Sequence, residues 1–201
     1  MVKQKGIPVS IHPLFWMFAA LIGWINSETA VGTFIWIGII FVSVLFHELG
    51  HALTARLFGQ KVRIDLIAFG GVTTYEGNKL SFGKQFLITL NGPLFGFFLF
   101  LFATFCLAAF PEVTQDPILF SILKWGQVAN LFWTVVNLIP VMPLDGGQLL
   151  RIALEARFGL SGFKASLCIG AVISLLLALL FFVVQAFFLG SLFFLFAFQS
   201  F

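Results

Sequence analysis

Charge is scarce in this chain. It holds 11 Lys and Arg and 8 Asp and Glu among 201 residues, 9% in all, where an ordinary soluble domain carries about a quarter. In its place stand 60% hydrophobic and 17% aromatic residues, more apolar side chain than a soluble fold of this length can hide. The alternating segments of a transmembrane barrel are also missing. Cysteine is nearly absent: Cys106 and Cys168 both lie in apolar runs, where they read as small hydrophobes, not as redox or metal groups. Met1 to His12 is polar and basic, and no small-residue cleavage site follows the first apolar run, so no cleavable signal peptide is expected. The net charge of +3 says little about partners, and no nucleic-acid partner is expected.

What remains is a polytopic, all-α membrane protein, read as a single domain over residues 1–201 with about six transmembrane helices. Pro13 to Ile25 is the first apolar run, short for a span, with Pro13 suited to the first helical position. Ala30 to about Phe58 is the second. Lys61 to Tyr75 then changes period: Val62, Ile64 and Leu66 alternate with Arg63, Asp65 and Ile67, and β-branched residues flank Gly70-Gly71. This predicts a short membrane-associated β-hairpin after the second span, with the glycine pair at or near its turn. Glu76 to Gln85 reads as a polar link. Spans three and four run from about Phe86 to Phe110 and from about Ile118 to Leu138, with Asn91-Gly92-Pro93 expected to loosen the third. Gln148 to Phe158 suits a short amphipathic helix. The apolar stretch from Lys164 to the end suits two spans, turning near Gln185 to Gly190.

Basic residues set the orientation. With the N-terminus cytoplasmic, Lys3, Lys5, Arg56, Lys61, Arg63, Lys79, Lys84, Arg151, Arg157 and Lys164 share that side, and only Lys124 departs from it. The ends of spans two and four, with their ionisable residues, then lie near the cytoplasmic face.

Those residues are few. His47-Glu48-Leu49-Gly50-His51 places two imidazoles four residues apart on one helix face, able to grip one zinc ion, and Glu48 beside them can reach a water there. Such a pattern also arises by chance in soluble helices; inside an apolar span an unpaired His-Glu-His cluster has no cheap structural use. A catalytic zinc takes three protein ligands and leaves a fourth position open. His12 precedes the first span and is a poor candidate. Asp145 remains, brought to the same depth by the orientation argument, with Gly146-Gly147 allowing close backbone approach. Its alternative reading is a helix N-cap. For Gly70-Gly71 the alternative is a plain turn, and for Asn137 a polar helix end.

His47-Glu48-Leu49-Gly50-His51, paired with Asn137-Leu138-Ile139-Pro140-Val141-Met142-Pro143-Leu144-Asp145-Gly146-Gly147 much later, resembles the site-2 protease family of intramembrane zinc metalloproteases. The Ile11-His12-Pro13 opening, Phe69-Gly70-Gly71 and Asn91-Gly92-Pro93 extend the resemblance over most of the chain. It is similar to the compact bacterial and archaeal branch, with no room for an inserted PDZ-like domain and no paired CBS modules. The resemblance implies one Zn2+ per chain on His47, His51 and Asp145, with Glu48 as general base. It also implies that Asn137 holds the substrate backbone or the oxyanion. Gly70 and Gly71 belong to a hairpin whose strand edge could pair with an unwound substrate. The implied partners are the lipid bilayer and single-span membrane proteins or signal peptides, at a multi-pass position in the cell membrane. A zinc-binding transporter and a catalytically inactive scaffold are the competing readings. The first lacks ionisable residues along a path across the bilayer, and the second is at odds with an intact Glu48.

Overall fold

The computed structural model describes residues 6–68 and 70–199; Lys3, Lys5 and Phe69, named above, lie outside them. The chain divides into two compact units, Met1–Lys79 with Asn91–Thr134, and Leu80–Leu90 with Val135–Phe201.

The first unit opens with strand β1 (Val9–Ile11), followed by helix α1 (Pro13–Ser27) and helix α2 (Ala30–Leu57). Pro13 does open α1, where its missing N–H costs nothing. Thr29 caps α2, its hydroxyl accepting from the Gly32 N–H at 3.1 Å. Strands β2 (Lys61–Ile67) and β3 (Gly70–Glu76) form the expected hairpin, antiparallel with Leu66 opposite Gly71 and Ile64 opposite Thr73. The alternation seen in the sequence is the burial pattern of β2. Val62, Ile64 and Leu66 are fully buried against the helices, worth roughly 1.5–3 kcal/mol each.

Two features of this sheet go beyond the expectation. Ala68 leaves β2 at a φ of 25°, and β3 begins at Gly70, which pairs with Ile67, with Gly71 next in the strand. Gly71 is not in the left-handed region, so its lack of a side chain serves close approach. The N-terminal arm also contributes: β1 joins the far edge of β2 in parallel, giving the order β1-β2-β3. Among the described residues the outer edge of β3 is unpaired.

Helix α3 (Phe82–Ala109) begins four residues before the expected span. The link ahead of it is shorter because Ser81 accepts the Gln85 N–H and the Gln85 side chain turns back to the Leu80 carbonyl at 2.9 Å. Pro93 lies inside α3 without ending it; its ring is fully buried. After a short 3-10 turn at Pro111–Gln115 comes helix α4 (Pro117–Asn137). The unit boundaries fall in the link before α3, within α3 and within α4.

In the second unit, helix α5 (Asp145–Phe158) is followed by α6 (Leu160–Val183) and α7 (Phe187–Gln199), each packed on the next. The expected break near Gln185 is present: Gln185 has a φ of 61° between α6 and α7.

Among the described residues four helices, α2, α3, α4 and α6, are long and apolar enough to cross a membrane; Pro13–Ser27 and Phe187–Phe198 are apolar but shorter. The architecture is therefore a mostly helical membrane protein with a small sheet. Four spans stand on length and composition, where about six were expected.

Candidate metal and catalytic site

In the first unit, α2 carries His47 and His51 one turn apart. Their Nε2 atoms converge to 3.2 Å. Two nitrogens each about 2.05 Å from a tetrahedral zinc stand about 3.3 Å apart, so the imidazole pair fits one edge of such a site. His51 is buried and His47 half-buried.

Room for His51 comes from Gly92 on α3. A Cβ at Gly92 would overlap the His51 ring at Nε2 and Cε1. The helices touch just beside it: a Cβ at Gly50 would overlap the Asn91 carbonyl. The Asn91 amide donates to the Thr54 hydroxyl at 2.7 Å, which donates to the Gly50 carbonyl at 2.7 Å. Asn91-Gly92-Pro93, expected to loosen a helix, instead brings α3 backbone against α2 where the imidazole sits.

Glu48 is buried, with 5% exposure. β3 encloses its carboxylate. The Thr73 hydroxyl lies 2.6 Å from Oε2, and a Cβ at Gly71 would overlap Cγ and stand 2.7 Å from Cδ. Gly70 meets nothing in this way. Thr73 was not among the residues picked out by motif, because a threonine in a strand carries no distinctive signal.

In the second unit, Asn137 is the last residue of α4 and is half-buried. The loop from Leu138 to Leu144 folds back over the start of α5. A Cβ at Gly146 would overlap the Leu138 and Ile139 carbonyls, and one at Gly147 the Val141 carbonyl carbon. The glycine pair thus admits the chain's own backbone. Asp145 occupies the first turn of α5 and is buried at 7% exposure. The N-cap is Leu144, with no side-chain capping bond, so the capping alternative for Asp145 falls away.

The Peptidase M50B-like family model matches residues 13–144, and the Peptidase family M50 model matches residues 111–181. A zinc metalloprotease of Methanocaldococcus jannaschii is 30% identical over 181 residues, 88% of this chain and 52% of that protein. Stage IV sporulation protein FB of Bacillus subtilis is 31% identical over 170 residues, 81% of this chain and 54% of that protein. The chain spans about half the length of these curated relatives. Among solved structures, a site-2 protease from Methanocaldococcus jannaschii matches with a TM-score of 0.66 and 25% identity. The match covers 100% of this chain and 93% of that one.

Proposed function

This chain belongs to the Peptidase M50B-like family, the site-2 proteases, and from that premise we propose that it is an intramembrane zinc metalloprotease. It hydrolyses peptide bonds within or beside the membrane-spanning segments of other proteins. The observation that carries the reading is the convergent His47–His51 pair with a buried carboxylate on the next residue, all on a helix long and apolar enough to span a bilayer.

His47, His51 and Asp145, each offering one ligand atom, would hold one zinc per chain. Two imidazoles and one carboxylate are a hydrolytic donor set that leaves a position open. When bound, zinc supplies Lewis acidity toward water and the scissile carbonyl. Glu48 accepts a proton from the attacking water and later delivers it to the leaving amine. Asn137 donates its amide to the substrate backbone or the developing oxyanion.

A substrate helix keeps its carbonyls in internal hydrogen bonds, so it must unwind before it is cut. The unpaired edge of β3, with Gly70 and Gly71 at its start, offers backbone partners to the extended segment. Single-span membrane proteins and signal peptides are the substrates of this reading. The Lys and Arg asymmetry puts the N-terminus and the site toward the cytoplasm, residues 1–201 act as one membrane domain, and α1 and α7 complete about six membrane helices.

The test is cleavage of a single-span substrate in vesicles, with and without a zinc chelator. Cleavage that stops with chelator and returns with added zinc is expected. Chelator-insensitive cleavage, or zinc flux with no cleavage, would contradict it.

A further inference from the structure

We infer that Thr73 is a positioning residue: it holds the Glu48 carboxylate and ties it to the strand that docks substrate. The inference rests on the reading above, in which Glu48 is the general base and β3 takes the unwound segment.

The Thr73 Oγ1 lies 2.6 Å from Glu48 Oε2 and 3.2 Å from the Glu48 carbonyl oxygen. A hydroxyl has one hydrogen to donate. The shorter contact is the stronger of the two, so the hydrogen goes there. Gly71 lies two residues earlier in β3, on the same face of the strand. Its missing side chain leaves the space that the Glu48 stem occupies, with an added Cβ only 2.8 Å from Oε1. Two successive positions on one face of β3 therefore fix the same carboxylate, one by making room and one by a hydrogen bond.

Without the hydroxyl, β3 still bounds the carboxylate at Gly71 but no longer holds Oε2. About two χ1 wells in a helix and three at χ2 set a ceiling of roughly six conformers, of which several become populated. A base must be within hydrogen-bond reach of its proton, so turnover falls several-fold, to at most about that ceiling, while substrate docking and metal binding stay. Thr73 is also at the centre of β3. The strand that receives an extended substrate is the strand that sets the base, so docking and chemistry are coupled through one side chain.

The experiment compares wild type, Thr73→Val, Thr73→Ser and Glu48→Gln in vesicles with a single-span substrate, measuring kcat, KM and zinc per chain. Thr73→Val keeps the branched shape suited to a strand and loses only the hydroxyl. Expected is a fall in kcat of about 3–6-fold, with KM and zinc content within about twofold of wild type, and recovery in Thr73→Ser. Wild-type kcat in Thr73→Val, a change confined to KM, loss of zinc, or no recovery with serine would each overturn the inference. Glu48→Gln separates the two levels. If it still turns over, the general-base reading fails and takes Thr73 with it; if it is inactive while Thr73→Val is wild-type, only the Thr73 inference fails.

Discussion

Adding one methyl group at Gly92 should dislodge a metal ligand. The Cβ of Gly92→Ala would overlap His51 at Nε2 and Cε1, and stand 2.9 Å from Cδ2. Ordinary contacts between such atoms begin near 3.5 Å. Even at the most distant of these three atoms the ring must retreat by about 0.6 Å, and by more at Nε2. A metal–ligand distance tolerates about 0.2 Å. Backing α3 away is opposed by the hydrogen bond from Asn91 to Thr54 at 2.7 Å, which would break. The imidazole should therefore rotate off and leave the ion two protein ligands. Changes that merely disturb a ligand's supports cost 10–100-fold in affinity, so loss of His51 should weaken zinc by at least about 100-fold. Overpacking itself costs about 1–3 kcal/mol, leaving the protein folded. Competition with a fluorescent zinc chelator reads the affinity, and circular dichroism checks the helices. Gly126→Ala is the control, since a Cβ there meets nothing. Wild-type zinc affinity in folded Gly92→Ala would refute the reasoning.

Gly71→Ala should displace the Glu48 carboxylate, lowering kcat by about 10-fold or more with zinc retained; metal analysis beside kinetics separates this from the Gly92 result. Asp145→Asn replaces an anionic ligand by a neutral amide. It should weaken zinc by at least about 10-fold and lower activity in proportion, restored in part by excess zinc.

The helix bearing the two histidines was legible because a long apolar run bounded by Thr29 and the Arg56–Lys61 exit leaves few choices, and it ends within a residue of where expected. β2 was legible because three buried side chains alternate with polar ones. Strand β1 was not: Val9, Ser10 and Ile11 are three exposed residues, too few for a period. The Gly-Gly pair marked the hairpin, which Gly70 closes opposite Ile67, but not that Gly71 yields space to Glu48. Gly92 hid its use as well: beside a proline it looks like a helix breaker, and its use becomes visible only once His51 is seen against it. Thr73 had no signal at all. Its partner lies 25 residues away, and only the packing of β3 on α2 brings the two together.

The central claim is that a general base at Glu48 acts beside a metal held by other residues. It is tested most directly by zinc stoichiometry and substrate cleavage in Glu48→Gln, measured on one preparation. One zinc per chain with cleavage abolished is the predicted result. Wild-type cleavage in that variant would contradict the account.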